Sequence, residues 1–547
     1  MKKIKNYIVG FVIAMLIAFI YYYMTLPAIN IHAKGFWFFI SVVIIVVIGI
    51  ILLRTLGKQG KIISGNGINI NLKDLLALRP IKFLSVLLLI ILLIYGVGSI
   101  LSSPFINAKK YQQLLTTNER NFTEDIKEVD FNTIPLLDKE SAALLANRKM
   151  GSMVDMVSQF EVSSEYAQIN YQDKPVRVAP LVYASPIKWL MNQSDGIPAY
   201  IMIDMTTQNT ECVKLKEGIK YSKSEYFNRN LYRHLRFRYP TYIFDEQISF
   251  EIGEDGVPYW ICPVKKFNIG LFGGQTIGNV IICNAITGEC QNYQIDNIPQ
   301  WVDKVFSAEL LISLYDYSGT LKHGYWNSVL GQKDCLQSTN GYNYIALDDD
   351  VWVYTGVTSV NGDQSNVGFV LMNQRTMETR FYKIEGAIED SAMSSAEGQV
   401  QNLGYRATFP ILLNIASEPT YFMALKDDAG LVKKYAMLNV EKYQWVAIGD
   451  TIKECTKDYV QLLNTNGIIS EKASDVKTIS AKITSIAPVV LEGNTFYYVC
   501  VEGSDDIYVI DMSNTDLISI IKYQVGDQVT LGYKDALGLN PVVHIKK

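Results

Sequence analysis

Three long stretches without a single charge occupy most of the first hundred residues. They read YIVGFVIAMLIAFIYYYMTLP at 7–27, FWFFISVVIIVVIGIILL at 36–53 and FLSVLLLIILLIYGVGSILS at 83–102. A helix of about 18–21 apolar residues crosses a hydrocarbon layer ~30 Å thick. In lipid the backbone must bond to itself, so a helix is the form such a segment takes. The sequence therefore predicts three N-terminal transmembrane helices in residues 1–102. A cleaved leader is not the expectation for the first, which lacks a small-x-small site and is followed by two further spans. No ionisable residue lies inside any span, so the three read as an anchor with no ion pathway of their own.

Charge sets the expected orientation. Lys2, Lys3 and Lys5 precede the first span, and Arg54, Lys58, Lys61, Lys73 and Arg79 crowd the loop of 54–80, whereas loop 28–35 carries only Lys34. By the positive-inside rule the N-terminus and second loop are cytoplasmic and everything after about residue 103 is extracellular. Lys109 and Lys110, just past the third span, run against this pattern. Residues 1–102 hold ten of the chain's 50 Lys and Arg but one of its 54 Asp and Glu, Asp74, so the remainder is acidic. An acidic globular part excludes nucleic acid as an electrostatic partner.

Beyond the anchor, residues 103–134 read as a polar stalk with a helical turn near Tyr111–Leu115. Residues 135–470 alternate amphipathic helices, expected within 138–159, 222–238, 299–317, 388–403 and 450–464, with hairpins at 199–215, 279–295, 368–384 and 434–448. Asp204, Asn284 and Asn373 open the first three turns, each followed three residues later by Thr207, Thr287 or Thr376. Asp and Asn bond the backbone ahead of them and tolerate left-handed geometry, which suits them to start turns. The flanking alternation of aliphatic and polar residues is a strand signal. The spacing between turns is uneven, which predicts a divergent series of helix-plus-antiparallel-sheet units and not a strict solenoid. Residues 471–547 change character, with five strand-like runs that predict a small β-barrel of the OB type.

The second hairpin, with its turn Asn284-x-x-Thr287-Gly288-Glu289, resembles PepSY-like modules. The layout as a whole is similar to multi-span envelope proteins of Gram-positive bacteria. The resemblance implies small α+β units, each with a helix on an antiparallel sheet, and carries over no catalytic residue and no cofactor.

Candidate sites are few. Asp348, Asp349 and Asp350, with Asp363 downstream, offer hard oxygen ligands suited to calcium. They lack alternating ligand spacing, and the competing reading is a solvated turn. Arg229, Arg233 and Arg236 share one face at helical spacing, as an anion or partner contact or as an ion-paired face. Gly270, Gly273, Gly274 and Gly278 precede a strand and not a helix, so they read as a turn rather than a phosphate loop. Ser391, Ser394 and Ser395 have no Lys or His near in sequence to activate them. The four histidines are dispersed, which excludes a paired-His metal motif. Cys283 and Cys290 flank a turn where a disulfide is geometrically possible, and whether they pair stays open. The resulting expectation is a membrane-anchored α+β protein without enzymatic activity. It would be an extracytoplasmic scaffold or binding protein of the bacterial envelope, with membrane lipid and an envelope protein or glycan as partners. The alternatives are a carboxylate-dependent hydrolase of peptide or glycan and an accessory subunit of a membrane complex.

Overall fold

A computed structural model describes residues 2–58, 78–128, 134, 137–172, 174–347, 349–360, 365–468, 476–491, 494–504, 506–534 and 539–546. Most of loop 54–80, with Lys61 and Lys73, lies outside the described residues. The chain divides into two compact units, Met1–Val460 and Gln461–Lys547.

The N-terminal helices are α1 (Lys2–Thr25), α2 (Lys34–Lys58) and α3 (Arg79–Leu101). Two segments, Lys34–Thr55 and Arg79–Leu101, are long and apolar enough to cross a membrane. At 1.5 Å per residue both exceed about 30 Å. The apolar part of α1 among the described residues, Val12–Thr25, is shorter. Among the described residues, apolar side chains of α2 and α3 such as Leu53, Phe83, Leu89 and Leu93 are exposed.

Among the described residues, the first unit continues with four larger, mainly antiparallel sheets and a short pair of Ser365–Asn366 with Gly386–Ala387. In the first, Phe160–Val162 and Ala167–Tyr171 pair with Lys174–Tyr183, which leads on to Ile197–Asp204 and Thr210–Ile219. The second is a meander of Ser249–Ile252, Pro258–Ile269, Gly273–Asn284 and Cys290–Gln294. The third sets Leu336–Ser338 and Asn343–Leu347 against Asp350–Ser359, then continues to Gly368–Asn373 and Thr379–Tyr382. The fourth joins Arg406–Ala407 and Ile411–Ile415 to Glu418–Lys426, Val432–Asn439 and Val446–Gly449.

Successive strand residues point to opposite faces, and both middle sheets use both faces. From the second sheet, Trp260, Cys262, Ile281 and Cys283 enter one core, while Ile261, Val280 and Ile282 enter another. From the third, Val353, Val370 and Met372 share that second core, while Trp352, Tyr354, Phe369 and Leu371 enter a third with Tyr421 and Leu438 of the fourth sheet. Helices complete these cores through residues four apart: Ala142, Ala146 and Met150 from Lys139–Gly151, Leu231 and Leu235 from Leu231–Arg238, and Ala392 and Ala396 from Glu389–Gln399. Asp138 and Asn230 cap the first two, accepting from the Ser141 and Arg233 N–H groups.

One turn chemistry recurs in the hairpins. Asp204 Oδ1 accepts from the Thr206 and Thr207 N–H groups at 2.8 and 2.9 Å. Asn284 accepts from Ile286 and Thr287 at 2.9 and 3.0 Å, and Asn373 from Arg375 and Thr376 at 2.8 and 2.9 Å. Asn439 does the same for Glu441 and Lys442. In the first three the residue four past the opening one is left-handed: Gln208 at φ 63°, Gly288 at 75° and Met377 at 65°.

The segment 103–134 differs from the stalk expected. Its described part forms the helix Pro104–Gln112 and the strand Thr117–Arg120, which joins the third sheet parallel to Thr379–Tyr382. Phe122 and Ile126 then enter the third core. Four strand residues are too few to leave an alternation pattern in the sequence. Likewise the helix expected within 222–238 forms only over Leu231–Arg238, because Asn230 caps it there and Phe227–Arg229 makes a separate 3-10 turn.

In the second unit five strands close into a barrel: Val476–Leu491, Asn494–Val501, Ile507–Asp511, Gln528–Lys534 and Leu539–Lys546. The first strand is long enough to serve both sides of the seam. Its residues 476–482 pair with 528–534, and after an irregularity at Ile483/Ser485 the rest pairs with 494–501. Such a bulge bends a strand as closure requires. Ile483, Val499, Ile510 and Leu531 fill the interior.

Candidate functional site

The arginine face expected around residues 229–236 divides in the structure. Arg229, in the 3-10 turn, donates to the Gln193 carbonyl. Arg233 lies 4.7 Å over the Tyr23 ring. Arg236 is buried and spends its donors on main-chain carbonyls: Nε reaches Leu26 at 2.9 Å and Nη1 reaches Tyr242 at 2.6 Å, with longer bonds to Tyr239 and Pro240. Leu26 follows the C-terminus of α1, where unpaired carbonyls attract a cation.

Further bonds tie the helix ends to the second sheet and to the segment that leads into it. Ile29 N–H donates to the Pro240 carbonyl at 2.8 Å, Asn30 Nδ2 to Thr241 at 2.9 Å, and His32 Nδ1 lies 2.8 Å from the Leu271 carbonyl. Past α3, Ser102 Oγ accepts from the Leu271 and Phe272 N–H groups at 2.8 and 3.0 Å. The turn at Gly270–Gly274 is thus the piece that meets the helices. A Cβ at Gly270 would fall 2.5 Å from Ser102 Oγ, and one at Gly273 2.2 Å from the Ser102 carbonyl. Those glycines serve close approach.

The described members of the acidic run have protein partners. Asp350 is 5% exposed and takes a bidentate pair from Arg375, Nε to Oδ1 at 2.6 Å and Nη2 to Oδ2 at 2.7 Å, plus Asn373 Nδ2 at 2.8 Å. Asp349 accepts from Asn170 Nδ2 at 2.6 Å. Asp348 and Asp363 lie outside the described residues. Nearby, buried Glu251 accepts from the Asp303 and Lys304 N–H groups at 2.9 and 3.0 Å, and Asp303 accepts from the Asn170 N–H at 2.7 Å. Burial raises both carboxyls, and the Glu251 charge raises Asp303 further. Sequence reasoning missed this pair because Glu251 lies in a strand of the second sheet and Asp303 some fifty residues on, in the segment before the helix Ala308–Thr320. Ser391, Ser394 and Ser395 fall in the helix Glu389–Gln399.

Among the described residues, the group with metal-ligand proximity is His234 with Cys283 and Cys290. The two cysteines, directly opposed across the hairpin, are joined by a disulfide. His234 Nε2 is 2.7 Å from the Gly288 carbonyl.

A cavity of about 460 Å³ opens where the helix start at Asp138 faces the first, third and fourth sheets. That volume is in the range of small-molecule sites. Polar side chains on its wall include Gln168, Arg177, Lys304 and Glu309, and Phe409 and Phe422 supply apolar wall. Its two carboxylates are committed. Asp138 pairs with Lys426 and caps its helix. Glu309 accepts from Tyr342 Oη and Gln247 Nε2, both at 2.9 Å. Arg177 and Gln168 are directly opposed on neighbouring strands and are 6% and 7% exposed. Their mutual bond is long, Nη2 to Oε1 at 3.4 Å, and Arg177 Nε and Gln168 Nε2 have no partner.

No family model matches the chain, and no curated protein matches it. Among solved structures, the chain aligns with a crystal structure of a variant ACO/RPE65 chimera in a monoclinic form. The identity is 7% and the TM-score 0.14, over 72% of this chain and 66% of that one, just under two thirds of its length. That likeness assigns no fold.

Proposed function

We propose that the chain is a membrane-anchored binding protein of the cell envelope, held by three helical spans with the residues after about 103 on the extracytoplasmic side. The observation that carries this reading is the hydrogen-bonded seat between helix ends and the second sheet. Loop 26–33 binds residues 236–241 and 271, and Ser102 binds the same turn. That seat supports placing loop 26–33 and the second sheet on one side of the membrane, an arrangement that agrees with three spans. The basic residues of loop 54–80 agree with that orientation. The Cys283–Cys290 disulfide suits an oxidising compartment. Trp326, exposed like Val329 and Leu330 a few residues on, has its ring 5.6 Å from that of Phe105, just past α3. Aromatic residues favour that interfacial level.

The four sheets, each with a preceding helix and the shared Asp/Asn turn, support a series of related α+β units. The strand order of the barrel supports the OB-type reading. Binding, rather than hydrolysis, fits a cavity whose two carboxylates are already bonded to protein groups. Protease treatment of intact cells tests the sidedness: the sheets and barrel are digested, while a tag before Lys2 is protected. A protected barrel with a digested N-terminal tag reverses the reading. Cross-linking in intact cells followed by solubilisation tests the partner, and recovery of the chain alone counts against a scaffold role.

A further inference from the structure

We propose that the cavity beside Asp138 binds a small organic carboxylate, whose carboxyl group is received by the Arg177 guanidinium and the Gln168 amide. A guanidinium stays protonated in any folded protein, and a buried cation without a counter-charge is costly. Among the described residues no carboxylate forms an ion pair with Arg177: Asp138, whose charge it feels, is paired with Lys426, and the guanidinium's hydrogen bond goes to the neutral Gln168. Both groups are more than nine-tenths buried, both line the cavity, and each keeps an unused N–H. Because Gln168 Oε1 accepts from Arg177, its Nε2 is the free end and is a donor. Those two N–H groups are themselves enclosed, but the guanidinium and the amide that carry them form part of the cavity wall, and the fork of a guanidinium matches a planar carboxylate.

Charge and size narrow the class. Lys139 and Lys304 stand on the same wall as Arg177, and Asp138 and Glu309 face the space as well. Asp138 is neutralised by Lys426, so the wall is cationic, but Glu309 opposes a ligand with two negative charges. A monoanion fits better than a phosphate dianion. The volume exceeds a bare carboxylate several-fold, and Phe409, Phe422 and Met423 offer apolar wall to the body of the ligand. Water could occupy the donors but would leave the charge uncompensated.

The inference rests on the reading of the chain as a binding protein, though not on its sidedness. The test is thermal unfolding and calorimetric titration of the full-length chain in neutral detergent. The probes are acetate, benzoate and 4-phenylbutyrate, with benzamide, chloride and inorganic phosphate as controls. Benzoate or phenylbutyrate should raise the unfolding temperature saturably, acetate less so, and benzamide not at all. Arg177→Met should weaken that binding about 30-fold or more, yet unfold without ligand no earlier than wild type, since it removes an unpaired buried charge. Gln168→Leu should weaken binding less. A shift by phosphate or benzamide but not by carboxylates overturns the assignment and leaves the binding reading standing. No shift by any probe, or binding retained in Arg177→Met, overturns the site itself, and the cross-linking experiment then judges the binding reading separately.

Discussion

Arg236 is the residue through which a helix end is most firmly fixed to the sheets, and Arg236→Met measures that attachment. The substitution keeps an apolar stem but removes bonds to the Leu26 and Tyr242 carbonyls at 2.9 and 2.6 Å. Bonds from a charged donor contribute about 1.5–3 kcal/mol each. The bonds to Tyr239 and Pro240, at 3.4 and 3.3 Å, add little. Against the loss stands relief from burying a cation that has no carboxylate partner. A net destabilisation of about 2–4 kcal/mol follows. For a unit this large, 1 kcal/mol moves the unfolding temperature by about 2 °C, so the expected fall is about 4–8 °C. A thiol-reactive fluorescent dye reads it in detergent, because Cys262, Cys335 and Cys455 are buried until the chain opens. Arg236→Lys should recover only part of the loss, since one ammonium cannot span carbonyls on both sides. An unchanged midpoint in Arg236→Met, or full recovery with lysine, would refute the clamp.

Three further outcomes are expected. Burial raises the Glu251 and Asp303 carboxyls, so their contribution is full below the ordinary carboxyl value, about pH 4, and is lost as pH rises through the folded values. Asp303→Asn should therefore lose less stability than wild type between acid and neutral pH, and a gap independent of pH contradicts this. Gln208→Gly and Met377→Gly relax left-handed positions that Gly288 occupies naturally; each should stabilise by about 0.5–1 kcal/mol in denaturant titrations, against no gain if the turn is unstrained. Replacing Cys283 and Cys290 by serine should cost about 2 kcal/mol, and reductant should lower the midpoint of wild type but not of that variant.

Much of the fold that follows the apolar helices was legible because its signals are local. Alternation over the hairpins and an Asp or Asn at each turn depend on neighbours a few residues apart. The five barrel runs likewise became five strands, since each is a short apolar stretch bounded by turn residues. The Gly-Glu pair found in the second hairpin alone was a poorer guide than the opening residue. The bonds come from the Asp or Asn oxygen, and Gln208 and Met377 adopt the left-handed angle without glycine. What escaped was pairing over distance. Thr117–Arg120 belongs to a sheet whose partner strand is more than 250 residues away, and nothing in TNER announces it.

The cavity shows where such reading could have gone further. Its wall runs from Leu137 to Ala424, so no local motif could outline it. Yet KPVRVAPLVY places one arginine in an otherwise apolar run, and every residue from Pro175 to Leu181 is buried. A cation in such a run needs a partner, and the sequence near it supplies only Gln168 on the opposed strand. Compare Arg375, half-buried in a turn of the third sheet, which meets Asp350 in a bidentate pair. Compare also Arg236, which meets a ring of carbonyls. Each of those guanidiniums is satisfied by the fold that buries it. Arg177 is buried as deeply and is not, and it faces open space of ligand size. The same fold that completes the buried Arg236 with carbonyls and the buried Lys426 with Asp138 leaves Arg177 to be completed from outside the chain.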